Sequence, residues 1–164
     1  MGLAVAVVVS GRGSNLAALL RALGNDAPAQ VVLVLSNRAD SGGLNLARDH
    51  GIPTHLLTDA ADPAEWLGIL KEHGVDLVVL AGFLRRVPGA VVEAYRGRMI
   101  NIHPALLPRH GGSGMFGAKV HAAVLAAGDL ETGATVHLAT TTASPCPTRK
   151  SPPTTAPPSS RPAS

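Results

Sequence analysis

Short runs of residues that are apolar at almost every position most constrain the fold of this chain. They are Leu3–Val9, Val31–Leu35 and Asp76–Ala81. A strand that is apolar on both faces is buried on both faces, which is typical of parallel strands covered by helices on each side of a sheet. These runs therefore predict an α/β fold with a mainly parallel sheet.

Segments with apolar residues at helical spacing separate the predicted strands. The leucines of Asn15–Leu23 follow this spacing, and Asp62 followed by Pro63 is a typical helix start. The predicted helices are Asn15–Leu23, Gly43–Asp49, Pro63–His73, Pro88–Tyr95 and Lys119–Ala127, and the further strands are Thr54–Leu57, Arg98–His103 and Ala134–Leu138. The alternation predicts a doubly wound, Rossmann-like sheet with helices on both faces, in which ligands bind at the carboxyl ends of the strands.

The composition changes abruptly at Ala139. From there to Ser164 the chain contains no Val, Ile, Leu, Met, Phe, Trp or Tyr and is rich in Pro, Thr and Ser. Such a segment buries too little apolar surface to offset the entropy lost on ordering. We therefore expect a folded domain at residues 1–138, incomplete at its C-terminus, and a disordered tail at residues 139–164. The tail is either a natural Pro-rich linker or binding segment, or an out-of-frame translation that replaced the real C-terminus. The abruptness of the change favours the second interpretation.

The charge distribution argues against a nucleic-acid partner. The formal net charge is +3. Acidic and basic residues are equal in number up to Leu138, so the excess comes from Arg149, Lys150 and Arg161 in the predicted tail. The predicted domain therefore carries no basic excess that would favour nucleic acid.

Cysteine content and hydropathy indicate a cytoplasmic protein without a membrane partner. Cys146 is the only cysteine, so the chain has no internal disulfide or cysteine metal site, and a reducing compartment fits. Leu3–Val9 is too short to span a bilayer and is followed by Ser-Gly-Arg-Gly. It therefore indicates a buried strand rather than a signal peptide.

The turn after the first predicted strand, Ser10–Asn15, has features of a phosphate-binding loop. Gly11 and Gly13 permit close backbone approach, and the N-terminus of the following helix favours an anion. The turn lacks the Gly-Lys-Ser/Thr of a Walker A loop, and Leu16 stands where a dinucleotide-binding fingerprint has its third glycine. Two interpretations remain at this point: a phosphate cradle, and a structural turn that binds nothing.

The end of the fifth predicted strand carries an amide and an imidazole two residues apart. In an extended chain Asn101 and His103 share one face, while Ile100 and Ile102 point to the other. An amide N–H can bind a developing oxyanion, and an imidazole can transfer a proton near neutral pH. The pair is either a catalytic site or an ordinary strand end with a surface histidine.

A third candidate segment, Leu84–Val87, follows the fourth predicted strand. Its backbone amides and carbonyls would lie beside the same crevice as the glycine turn. The side chains of Arg85 and Arg86, taken alone, are typical of solvated arginines.

Four motifs occur in order along the chain, each at or after a predicted strand. They are Gly-Arg-Gly-Ser-Asn-Leu after the first strand, Leu-Ala-Gly-Phe-Leu-Arg after the fourth, Asn-Ile-His-Pro-Ala-Leu-Leu-Pro after the fifth and Gly-Ala-Thr-Val-His at the last. Together they resemble the motifs of glycinamide ribonucleotide formyltransferases, folate-dependent enzymes of purine biosynthesis. The resemblance covers about Leu3–Leu138. It implies transfer of a formyl group from 10-formyltetrahydrofolate to the amine of 5-phosphoribosylglycinamide.

The resemblance also implies a role for each candidate residue. The residues that would bind the phosphoribosyl substrate are Gly13, Ser14 and Asn15. The pterin pocket of the folate would be lined by Leu84, Arg85, Arg86 and Val87. Asn101 would bind the formyl oxygen of the folate, and His103 would be the catalytic acid. No metal is implied, and the histidines show no ligand spacing with acids or cysteine. We interpret His110, His121 and His137 as loop, helix and strand-end residues.

The chain departs from the family after its last predicted strand. The family has an aspartate there that supports the catalytic histidine, followed by Gly-Pro and further strand and helix, whereas no carboxylate follows Glu131 in this chain. A neighbouring carboxylate orients an imidazole and favours its protonated form. We therefore expect reduced activity.

Two other functions stay open. One is a sister enzyme that uses the same folate, either a formyltetrahydrofolate hydrolase or a formyltransferase acting on another amine. The other is a non-catalytic nucleotide-binding α/β module. The glycine turn at residues 11–15 favours a phosphorylated small substrate over the sister enzymes.

Overall fold

The computed structural model describes residues 2–24, 26–112 and 114–141. The strands are β1 (Leu3–Val9), β2 (Ala29–Ser36), β3 (Thr54–Leu56), β4 (Leu77–Leu80), β5 (Met99–His103) and β6 (Thr135–Leu138). The helices are α1 (Ser14–Ala22), α2 (Gly42–Asp49), α3 (Pro63–Glu72), α4 (Gly89–Ala94) and α5 (Ala118–Ala126).

Every predicted element is present, with ends within about two residues of those predicted. Of the helices in the described ranges, none has the length and apolar character needed to cross a bilayer.

All six strands form one sheet in the order β3-β2-β1-β4-β5-β6. Neighbouring strands from β3 to β5 are parallel, and β6 is antiparallel to β5. This arrangement confirms the predicted mainly parallel, doubly wound α/β fold. The order of strand addition reverses between β1 and β4, which is where such folds bind ligands.

Helices cover both faces of the sheet and enclose two apolar clusters. On one face α1 and α2 bury Leu16 and Leu44, and on the other α3 buries Trp66. The central strand β1 contributes to both, because Val7 lies in the first cluster and Val8 in the second. This two-sided burial is the physical reason why β1 is apolar throughout.

The sheet ladder continues beyond β6. The backbone N–H of Ala139 donates to the carbonyl of Met99 at 2.9 Å, and the hydroxyl of Thr141 donates to the carboxylate of Glu93 at 3.2 Å. The first residues of the predicted tail are thus attached to the folded domain. The rest of the predicted disordered tail, residues 142–164, lies outside the described residues.

Candidate functional site

Ser10 joins three loops at the carboxyl edge of the sheet. It directly follows β1 and is buried. Its hydroxyl donates to Oδ1 of Asn37, after β2, at 2.7 Å and accepts the backbone N–H of Leu84, after β4, at 2.9 Å. The glycine turn and the Leu84–Val87 segment are therefore held side by side where the strand order reverses.

The glycine turn packs against the start of α2. Gly13 has a φ of +82°, and a Cβ at this position would lie 2.7 Å from the Cα of Gly43. The backbone N–H of Gly43 and the hydroxyl of Ser41 both donate to the carbonyl of Gly11, at 3.2 and 3.0 Å. Glycine at position 13 therefore has a structural role in addition to its predicted binding role.

Helix α1 begins directly after this turn without a side-chain cap. Gly13 occupies the N-cap position, and the first turn contains no acidic residue. Ser14 and Asn15 are exposed. Backbone N–H groups at such a helix start, together with the positive end of the helix, can bind an anion such as a phosphate.

Strand β5 places Asn101 and His103 on one face. Ile100 and Ile102 pack against the apolar cluster on the opposite face, as the alternation along a strand requires. Asn101 pairs with Leu80 of the parallel neighbour β4. The amide and the imidazole thus lie at the carboxyl end of β5, on the side of the sheet away from α1 and α2.

The amide of Asn101 is oriented by a histidine on β6. The antiparallel register pairs Asn101 with His137, and Nδ2 of Asn101 lies 3.1 Å from Nε2 of His137. Nδ1 of His137 lies 3.1 Å from the carbonyl of Leu138 and donates to it, so Nε2 is the accepting nitrogen. One N–H of the Asn101 amide is therefore used, and the other can be donated to a ligand.

His103 is buried and bonded to the loop that follows β5. Its Nε2 lies 2.9 Å from the carbonyl oxygen of His110, and it carries the hydrogen because a carbonyl can only accept. Thr135 of β6 holds the start of this loop. Its hydroxyl donates to the carbonyl of Ala105 at 2.7 Å and accepts the N–H of Leu107 at 3.0 Å.

Asp129 anchors the far end of the same loop. Its side chain is only 6% exposed, its Oδ2 lies 2.6 Å from Nε2 of His110, and Arg109 also forms an ion pair with it. The hydrogen bond from His110 lowers the pKa of Asp129, and the charge of Arg109 adds to this against the opposing effect of burial. No group of three His, Cys, Asp or Glu side chains in the described ranges could hold a metal ion.

The Leu84–Val87 segment borders a separate open cavity of about 370 Å³. Arg85 and Arg86 line it together with Asn37 and residues 57–61. Both arginines are exposed, so this rim can bind an anionic group. The side chain of Val87 lies in the core, which leaves only its backbone for contact with a ligand.

The sequence does not predict the hydrogen-bonding roles of three residues of the site. Ser10 and Asn37 each directly follow an apolar strand, and this position is the one signal that could have indicated them. His137 was interpreted as a strand-end residue. Its contact with Asn101 depends on the register of β5 and β6, which motif spacing does not fix.

Known proteins match the part of the chain that contains the candidate site. The sequence profile described as "Formyl transferase" matches residues 3–142. The chloroplastic phosphoribosylglycinamide formyltransferase of Arabidopsis thaliana is 41% identical in an alignment 141 residues long that covers 81% of this chain and 48% of the plant protein. The phosphoribosylglycinamide formyltransferase of Escherichia coli (strain K12) is 40% identical in an alignment 143 residues long that covers 83% of this chain and 65% of the bacterial protein.

A solved structure agrees with these sequence relatives. The phosphoribosylglycinamide formyltransferase from Anaplasma phagocytophilum superposes with a TM-score of 0.77 at 36% identity, covering 86% of this chain and 66% of the other. This chain spans about half the length of the plant relative and less than two thirds of the E. coli relative. The matched region runs from β1 past β6 and includes the glycine turn and the end of β5. These findings confirm the resemblance carried by the four sequence motifs: the chain belongs to the formyl transferase family.

Proposed function

We propose that this chain transfers the formyl group of 10-formyltetrahydrofolate to the amine of 5-phosphoribosylglycinamide, a step of purine biosynthesis. The observation that carries the proposal is the position of Asn101 and His103 at the same sheet edge as the glycine turn. The turn follows β1 and the pair ends β5, two strands away. Neighbouring strands are about 4.8 Å apart, so the two places are roughly 10 Å apart, a span suited to a phosphoribosyl-linked amine.

Asn101 would stabilise the charge that develops on the formyl oxygen. Attack of the substrate amine on the formyl carbon converts the carbonyl oxygen to an oxyanion. The amide N–H that His137 leaves available can donate to this oxygen, and one such donor contributes about 3 kcal/mol to transition-state stabilisation. His137 fixes the direction of the amide by accepting its other N–H.

His103 would supply the proton that the reaction requires. The bond between the formyl carbon and N10 of the folate breaks, and N10 leaves as a secondary amine only when it is protonated. The charged imidazole can stabilise the oxyanion and then pass its proton to N10. The attacking amine loses one proton, which restores the imidazolium, so the proton balance closes without a metal ion.

Two neighbouring surfaces would bind the rest of the substrates. The phosphate fits the uncapped start of α1, where Gly13, Ser14 and Asn15 lie. The pterin of the folate is assigned to the backbone groups of Leu84–Val87, with the formyl group at Asn101. The exposed guanidinium groups of Arg85 and Arg86 line the adjoining open cavity, where they suit the carboxylates of the folate tail.

We further propose that transfer by this chain is slow and takes place in the cytoplasm. No carboxylate follows Glu131 to support His103, and loss of such a partner typically lowers activity by about 10- to 100-fold. The single cysteine, Cys146, suits a reducing compartment.

A product assay with formyl-labelled 10-formyltetrahydrofolate tests the proposal. We expect slow, amine-dependent appearance of label in formylated phosphoribosylglycinamide, and a loss of about 10²-fold in the Asn101→Ala variant. Release of label as formate without the amine would identify a hydrolase instead. Failure to bind either substrate in a titration would favour the interpretation of the chain as a non-catalytic α/β module.

A further inference from the structure

The loop after β5 turns back onto His103 through an unusual backbone conformation. His110 has a φ of +53°, and within the described ranges it is the one residue other than glycine with a positive φ. Its carbonyl accepts the Nε2–H of His103 at 2.9 Å. A side-chain-bearing residue keeps this conformation only where its surroundings hold it there.

The side chain of His110 is held by Asp129. The two side chains are 13% and 6% exposed, and Nε2 of His110 lies 2.6 Å from Oδ2 of Asp129. Arg109 contacts the other carboxylate oxygen, but its own side chain is 63% exposed. The contact that constrains the loop backbone at His110 is therefore the one between His110 and Asp129.

We propose that the His110–Asp129 pair positions His103 for proton transfer. The pair holds the His110 backbone so that its carbonyl points at Nε2 of His103, and this fixes the Nε2–H tautomer of the His103 ring. Nδ1 is then the nitrogen that exchanges a proton. The proton on Nδ1 passes to N10 of the folate and is replaced by the one that the attacking amine loses.

The last step of this inference rests on the proposed formyl transfer, whereas the tautomer does not. His110 and Asp129 are positioning residues, since they act on His103 and need not touch a substrate. Their effect on the tautomer of the His103 ring can be measured whether or not the chain catalyses formyl transfer. The two claims can therefore fail separately.

The test is ¹⁵N NMR of the His103 ring in the full chain, at a pH where the ring is neutral. We expect the Nε2–H tautomer in the unmutated protein. Asp129→Ala should lower the ratio of the Nε2–H to the Nδ1–H tautomer about tenfold, the scale of one lost hydrogen bond. Asp129→Asn should preserve the ratio, because its amide oxygen still accepts from Nε2 of His110.

Two control variants separate positioning from charge and from general stability. Arg109→Ala removes the other partner of Asp129, and Asp40→Ala removes an Asp–Arg ion pair elsewhere on the surface. Neither should change the His103 tautomer. An unchanged tautomer in Asp129→Ala, or an equal change in Arg109→Ala, would overturn the proposal.

A measurement on the unmutated chain covers the case in which Asp129→Ala does not fold. The Nε2–H of His103 should exchange slowly with solvent, and a predominant Nδ1–H tautomer would refute the inference by itself. Where formyl transfer is measurable, Asp129→Asn should retain kcat, and a folded Asp129→Ala should lose kcat at unchanged KM. Absence of transfer in the unmutated chain would refute the proposed function and leave the tautomer result standing.

Discussion

At the scale of single residues, Gly13 shows how packing and binding requirements can coincide. Its left-handed φ and its approach to Gly43 both demand glycine, so a bulky residue there would disturb the fold before it blocked a ligand. Replacement of Gly13 therefore cannot isolate phosphate binding. Asn15, exposed in the first turn of α1, offers a cleaner test.

We predict that Asn15→Asp weakens binding of 5-phosphoribosylglycinamide about tenfold while leaving the thermal midpoint unchanged or slightly higher. A carboxylate repels the phosphate but interacts favourably with a helix N-terminus. Isothermal titration and a thermal melt measure the two effects. Gln30→Glu makes the same chemical change at the amino ends of the strands, away from the glycine turn. It should alter neither the affinity nor the thermal midpoint. Equal affinity of Asn15→Asp and the unmutated protein would show that the phosphate does not bind at this turn.

Glu65 illustrates a residue whose charge stabilises a loop away from Asn101 and His103. Burial alone would raise its pKa, but hydrogen bonds from the N–H groups of Thr58 and Asp59 and from His55 lower the pKa to about 2. The carboxylate thereby fixes the loop that borders the arginine-lined cavity. Because the folded-state pKa lies below the ordinary 4.5, this stabilisation is present above about pH 4.5 and is lost as the pH falls towards 2.

We predict that Glu65→Gln lowers the free energy of unfolding by about 1–2 kcal/mol at pH 7 and by much less near pH 2.5. Urea denaturation at the two pH values measures the difference. Glu72→Gln, an exposed acid on the same helix, is the matched control and should show no such dependence. An equal loss at both pH values would mean that packing, not charge, makes Glu65 important.

At the scale of elements, the antiparallel pairing of β5 with β6 assembles the site. It places His137 opposite Asn101 and Thr135 opposite His103. The hydroxyl of Thr135 donates to the carbonyl of Ala105 and accepts the N–H of Leu107, so β6 fixes the start of the loop that follows His103. A short edge strand thus orients the groups on its neighbour that we propose to be catalytic.

We predict that Thr135→Val, which keeps the shape of the side chain but removes its hydroxyl, destabilises the chain by about 1–3 kcal/mol. It leaves a carbonyl and an N–H without their partner. Amide exchange at Leu107 should accelerate, and Thr135→Ser should restore protection. Unchanged exchange at Leu107 in Thr135→Val would show that the loop is held by other contacts.

The elements could be predicted from the sequence, but the contacts between them could not. Apolar runs buried on both faces identified β1, β2 and β4, and Asp62 does cap α3 by accepting the N–H of Ala64. The alternation along β5 placed Asn101 and His103 together. The bonds of Ser10 to Asn37 and Leu84, and of His110 to Asp129, link residues far apart in sequence, and local periodicity carries no information about them.

At the scale of the whole molecule, the described domain has an open sheet edge. Val136 and Leu138 on β6 are 61% and 53% exposed, and Leu125 and Leu130 in and after α5 are more so. Exposed apolar residues on an edge strand are uncommon, because such an edge can pair with another chain. The plant and E. coli relatives are longer than the part that this chain matches, which is 48% and 65% of their lengths.

The central claim is that His103 transfers the proton in formyl transfer, and the most direct test is the turnover of His103→Ala. The measurement uses residues 1–141 joined in frame to the C-terminal part of the family that carries the aspartate, so that turnover is fast enough to compare. We predict that kcat in His103→Ala is about 10²-fold lower at an unchanged thermal midpoint, because proton transfer is lost. Full turnover in that variant would contradict the assignment of His103 as the catalytic acid.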